Sequence, residues 1–172
     1  MSTREQVCAR AASRLYGTWD LISFRRLADG ELLGDVLGSE PVGRLSYTPD
    51  GRVTALLMRR ARPWPADGDF LRTDDARRSA AALAFAAYGG WFEIHGDQVV
   101  HHVDISLYPE HVGTDLVRLV RWAGEQLVLC TGRRRTRSGR TMWDELAWRP
   151  LAARIDPLRL GHLRRTSHGK TR

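Results

Sequence analysis

The sequence predicts a mainly β protein: a single closed antiparallel up-and-down barrel with an N-terminal helix and one inserted helix. Three observations predict it. About eight β-type runs succeed one another between residues 17 and 150. Short turn signals built on Gly, Asp and Pro separate most of them. A single internal stretch breaks the pattern with helical composition. Successive hairpins of this kind close most naturally into a ring, because closure removes exposed strand edges.

Residues 3–15 have helical character: Thr3 can cap, Glu5 follows in the first turn, and Val7, Ala11 and Leu15 share a face, with Gly17 as the stop. The first strand, TWDLISFRR, alternates Trp19, Leu21 and Ser23 with Asp20, Ile22 and Phe24, and Ala28-Asp29-Gly30 turns it. Pro41-Val42-Gly43 precedes RLSYT, and Pro49-Asp50-Gly51 turns that strand into RVTALLMRR. Residues 59–72, with Pro63, Trp64, Pro65 and Gly68, read as a loop. Thr73 then caps DDARRSAAALAFAAY, whose first turn is acidic and whose end is marked by Gly89. WFEIH, QVVHHVDISLYP, GTDLVRLVRW, QLVLCTGRR and RTMWDELAWRP complete the meander.

A chain of 172 residues suits one domain. The boundaries expected are a barrel over 1–150 and a basic tail over 151–172. No apolar run reaches the roughly 18 residues of a membrane span, and residues 1–17 lack a secretory apolar stretch, so a cytoplasmic location is expected. Cys8 and Cys130 are far apart and form no zinc-type cluster, so no metal is expected and both read as free thiols. The formal charge of +7 invites a nucleic-acid partner. However, the basic residues are arginines scattered along the chain, with Lys170 the only lysine. The cluster Arg133, Arg134, Arg135 and Arg137 reads as a solvated hairpin. Neither nucleic acid nor a membrane is therefore expected as partner; a homodimer is an open option.

Gly17-Thr18-Trp19 at the start of the first strand resembles the G-x-W entry of lipocalins. GTWDLISF, PVGRLSYTPDGRVTALL, AAYGGWFEI, VVHHVDISLYPEHVGTDLVRLV, QLVLCTG and ELAWRP, in this order over about residues 15 to 150, resemble a bacterial and fungal lipocalin-like domain family of calycin-type barrels. The resemblance implies an internal cavity for a small hydrophobic metabolite. It also implies a structural cation–π contact of Trp19 under Arg149. It does not imply one activity: some such barrels carry ligands, and others catalyse cyclisations, dehydrations or rearrangements in secondary metabolism.

The segment His101–Ser106 is the richest in polar groups. In a strand, His102, Asp104 and Ser106 share one face, and His101, Val103 and Ile105 the other. Alternation favours His101 inside, and the opposite phase puts His102 inside with its carboxylate and hydroxyl neighbours. Either histidine suits proton transfer. Neighbours on one strand face are too far apart for a Ser-His-Asp triad. Tyr47, beside Leu45, could supply a phenol, and Arg118, between Leu116 and Val120, a guanidinium for a carboxylate or enolate. His101, His102, Tyr47 and Arg118 are the catalytic candidates. Ser23, Met58, Trp91, Asp104, Ser106, Trp143 and Glu145 are the ligand-binding candidates; Met58, Trp64, Phe70, Phe85 and Tyr88 could close the pocket as a lid, although plain packing of the helix on the barrel is the favoured reading. No P-loop, dinucleotide fingerprint or nucleophile elbow is present, so no cofactor is expected. The expected function is binding of a small, largely apolar metabolite with cofactor-independent cyclisation, isomerisation or dehydration; the alternative is a noncatalytic binding protein.

Overall fold

The computed structural model describes residues 13–65 and 68–151. The chain runs β1 (Gly17–Ala28), β2 (Glu31–Asp35), β3 (Val42–Tyr47), β4 (Arg52–Met58), α1 (Asp75–Leu83), β5 (Phe85–His95) and β6 (Gln98–Ser106). A 3-10 turn at Pro109–His111 leads to β7 (Asp115–Ala123), β8 (Gln126–Thr131), β9 (Arg134–Arg135) and β10 (Thr141–Pro150). Neighbouring strands pair antiparallel in the order β1-β3-β4-β5-β6-β7-β8-β10, and β10 pairs back onto β1, closing an eight-stranded barrel. The short strands β2 and β9 extend β1 and β10 at the rim.

The inner wall follows from strand alternation. Leu45 and Tyr47 of β3, Val53, Ala55 and Leu57 of β4, Leu127 and Leu129 of β8, and Leu146 and Trp148 of β10 are buried. The residues between them, Ser46, Thr54, Leu56, Val128 and Ala147, point outward. Residues 13–15 are helical and plug one end, where Trp19 donates its indole N–H to the Leu15 carbonyl at 2.8 Å. Residues 3–12 of the expected N-terminal helix, Cys8 among them, and the tail 152–172 lie outside the described residues. At this end the ring pairing differs from the expected Trp19–Arg149 contact. Trp19 packs on Trp122 with centroids 5.8 Å apart, and Arg14 caps Trp122 at 3.8 Å. Arg149 follows Trp148 on the opposite face and binds Asp20 at 2.9 Å on the outer wall.

Two further expectations are corrected. A β-bulge between Leu21 and Ser23 inserts one residue against β10. It resets the phase of β1, so that Phe24 and Ala28 turn inward and Ser23 turns out, paired with Ala147. The inserted helix is capped by Asp74, which accepts from Arg77 N at 2.9 Å, and ends at Leu83 instead of running to Tyr88. Phe85–Tyr88 belong to β5, where pairing with β4 outweighs the helical preference of an alanine-rich run. Gly89 and Gly90 are therefore not a helix stop. They sit at a second bulge opposite β6, and a Cβ on Gly90 would lie 1.9 Å from the His102 carbonyl oxygen. The arginines 133–135 form the exposed connection between β8 and β10.

Candidate functional site

The barrel encloses a cavity of about 240 Å³ between its core and the rim opposite the plugged end. Its wall is mostly apolar, with Phe24, Leu57, Leu129, Leu146 and Trp148 among the lining residues. Val36 and Leu37 after β2, Leu83 at the end of α1, and Tyr108 and His111 around the 3-10 turn form the rim. Tyr88, Arg118 and Thr131 supply polar groups deeper in. No carboxylate lines the cavity among the described residues.

Behind Tyr88 lies a buried polar chain. His101 has no exposed surface and Tyr47 has 1%. The Tyr47 hydroxyl is 2.7 Å from His101 Nε2, and the Tyr88 hydroxyl is 2.9 Å from His101 Nδ1. Strand register brings the three together: Tyr47 faces Val53 across β3–β4, Tyr88 faces Ala55 across β4–β5, and His101 faces Phe92 across β5–β6. Burial, aided by the charge of Arg118 and the neighbouring His102, pushes the His101 pKa down to about 3, so the ring is neutral near pH 7. Burial pushes both phenols up, against a charge and hydrogen-bond contribution from Arg118 at Tyr88.

A neutral imidazole carries one proton, and the surroundings select where. With the proton on Nδ1, Tyr47 donates to Nε2, Nδ1–H donates to the Tyr88 oxygen, and the Tyr88 O–H is left over beside the cavity. With the proton on Nε2, the leftover donor is the Tyr47 O–H, which is buried and has no other acceptor. An unsatisfied buried donor costs roughly 1–3 kcal/mol, which selects the Nδ1–H form. The chain therefore presents a preorganised phenolic donor to the cavity, with the Arg118 guanidinium next to it.

The expected site residues divide between the two faces of the wall. His101, Tyr47 and Arg118 come together inside. His102 is on the outer wall, stacked on Trp91 at 3.7 Å and bonded to Asp115 at 2.6 Å. Asp104 is exposed and 3.6 Å from Arg52. Trp143 donates to Glu145 at 3.1 Å outside the barrel, where Arg121 also approaches Glu145. Both alternate with the inward Asp144 and Leu146. Met58 follows the inward Leu57 and meets Arg62 outside. Ser106 is engaged with the Ala87 carbonyl and the Tyr108 amide. Ser23 faces out for the reason given above. Trp64 stacks on Phe70 at 5.6 Å in the loop before α1, away from the cavity lining. Tyr88, expected only as part of a lid, is the phenol that meets the cavity; the helical reading of its segment hid it. Tyr108, His111, Thr131 and Trp148 are further lining residues that sequence reasoning missed.

The comparisons with known proteins agree with this architecture. A family model described as a lipocalin-like domain matches residues 16–150. A protein of Aspergillus oryzae named as a 4'-hydroxy-3'-methoxypropiophenone carrier protein is 30% identical over 107 residues, which covers 58% of this chain and 96% of that relative.

Proposed function

This chain belongs to the lipocalin-like domain family, and from that premise we propose that it binds a small, largely apolar metabolite in its barrel and acts as a carrier for it. The observation that carries this reading is the cavity of about 240 Å³ with its apolar wall and one polar corner at Tyr88 and Arg118. Ligand sites have this character: apolar area supplies affinity and a few placed polar groups supply orientation. The volume of about 240 Å³ lies just below the usual range for such sites, which suits a ligand of one aromatic ring with a short chain. The similarity to a protein named as an aryl ketone carrier supports that size and polarity. The free buried thiol of Cys130 is compatible with action in a reducing cytoplasm.

One arrangement favours a second reading, in which the barrel also promotes cofactor-independent cyclisation, isomerisation or dehydration. The Tyr88 O–H and the Arg118 guanidinium converge on one corner, where they could stabilise negative charge developing on a carbonyl oxygen. The apolar wall would hold the rest of the substrate in a reactive shape. His101 fits this as the group that orients Tyr88; with its pKa near 3 it is a poor base.

Native mass spectrometry of the freshly purified chain, followed by titration with 4'-hydroxy-3'-methoxypropiophenone and neutral apolar probes, tests the first reading. Stoichiometric uptake is expected, and failure to take up any apolar probe would remove it. A bound molecule recovered unchanged favours the carrier. Conversion that is lost in Tyr88→Phe favours the enzyme.

A further inference from the structure

Arg118 raises a question that binding of an apolar metabolite does not answer. Its side chain is on the inner face of β7, across from Val99 on one side and Thr131 on the other. It lines a cavity without a single carboxylate among the described residues. One of its N–H groups reaches the Val117 carbonyl at 3.0 Å, and its positive charge works against the rise that burial imposes on the Tyr88 pKa. Among the described residues no acid pairs with it, whereas the other inward arginine, Arg26, is held by both oxygens of Asp144 at 2.7 and 3.0 Å. Two outer-wall arginines have carboxylates too, Arg52 of β4 with Asp104 and Arg121 of β7 with Glu145.

Withdrawing a guanidinium from water without a counter-charge is costly. Arg118 is half-buried in the wall, and a ligand seated against it would strip its remaining water, a cost that is offset if the ligand brings the charge. Beside the guanidinium, the leftover Tyr88 O–H needs an acceptor as well. Two donors, one of them cationic, meet at one point of an apolar wall. Resting on the ligand-binding reading, we propose that the barrel selects ligands with an acidic oxygen, a phenol, enol or carboxylate, and binds them as the anion between Tyr88 and Arg118. The charge-assisted bond to Arg118 supplies the selectivity, and the Tyr88 donor fixes the direction from which the oxygen is held. Tyr47 and His101 act through Tyr88 as positioning residues. Among the described residues, His111 and Tyr108 at the rim are the other titratable groups facing the cavity.

The test uses matched probes that differ by one methyl group. These are 4'-hydroxypropiophenone against 4'-methoxypropiophenone, and 3-phenylpropanoate against its methyl ester. They are titrated by calorimetry at about pH 9, where histidines are neutral and an acyl phenol is ionised, and again at about pH 6. The phenol pair and the carboxylate pair distinguish the two sources of the anion. At the higher pH at least one anion should bind about tenfold or more tightly than its methylated partner. For the phenol this preference should fade at the lower pH. Arg118→Gln should abolish the preference by bringing the anion down to the affinity of its methylated partner, with circular dichroism reporting that the barrel is folded. Tyr88→Phe should weaken the anion several-fold. If methylated and anionic probes bind equally at both pH values, the anion selectivity is wrong and the ligand-binding reading stands. If no probe binds, both fall.

Discussion

At the scale of single residues, the buried imidazole of His101 determines what the cavity can offer. Its two nitrogens are occupied by two phenols, and the Nδ1–H form places the one unpaired phenolic donor at the cavity, on Tyr88, and not in the core, on Tyr47. Nitrogen-15 chemical shifts should therefore report the Nδ1–H tautomer; an Nε2–H signature would contradict the assignment. Tyr47→Phe removes the donor to Nε2 and should cost roughly 1–3 kcal/mol of stability, read from the denaturant midpoint. The same ring makes a pH prediction. Its folded pKa of about 3 is below the ordinary value of 6.5, so between those values the unfolded chain binds a proton that the folded chain refuses. Stability should then be unaffected by this group above about pH 6.5 and fall as pH drops through the window, by about 1.4 kcal/mol per pH unit. Denaturation of the protein and of His101→Gln as a function of pH isolates the contribution by difference. Equal slopes for the two proteins would show that His101 is not buried neutral. Much of this chemistry was legible in the sequence. His101 sits in phase with Val99 and Val103, Tyr47 with Leu45, and Arg118 with Leu116 and Val120, and strand alternation places each of them inside. Trp91, Trp143 and Glu145 misled because aromatic and acidic residues also serve as outer-wall partners, as the Trp91–His102 stack shows.

At the scale of elements, two bulges decide which side chains reach the cavity. The first, between Leu21 and Ser23, turns Phe24 inward and Ser23 out. The second, at Gly89 and Gly90, leaves Asp104 unpaired on β6 and lets Tyr88 and Ser106 face each other. Neither is visible in an alternating pattern, since a one-residue slip changes no composition and flips every later side chain. The end of α1 was obscured for a related reason. The run Ala80–Tyr88 is rich in good helix formers, and only pairing with β4 draws its second half into the sheet. Gly90 makes the second bulge testable. A methyl group there would meet the His102 carbonyl oxygen, whereas one on Gly132 meets nothing within 4 Å. Gly90→Ala should lower stability by roughly 2–4 kcal/mol, and Gly132→Ala should change it by less than about 1 kcal/mol. If Gly90→Ala is as stable as the parent, the close approach of β5 and β6 is not a constraint on the barrel.

At the scale of the whole molecule, the cavity is a defect that an otherwise close-packed barrel maintains. Interiors are usually filled to crystal-like density, and an apolar void forfeits the contacts its lining would make. The barrel would be more stable with the space filled, so retaining it is the mark of a site. Ala86 lines the cavity where β5 leaves α1, at the side facing the core. Replacing it with Phe extends a ring into the space from a position whose backbone is fixed by pairing with Leu57. Ala86→Phe should leave the thermal midpoint unchanged or raised and abolish uptake of the apolar probes. In the parent, a ligand at 100 times its Kd should add about 2.7 kcal/mol of stability, an increment that Ala86→Phe should lack. A variant that unfolds would show that the wall cannot accept the ring, and Leu129→Phe then asks the same question from the opposite side. If a folded, filled variant still shows the full ligand-dependent rise, the ligand sits elsewhere, and the enclosed space between β1, β5 and β8 is not the binding site.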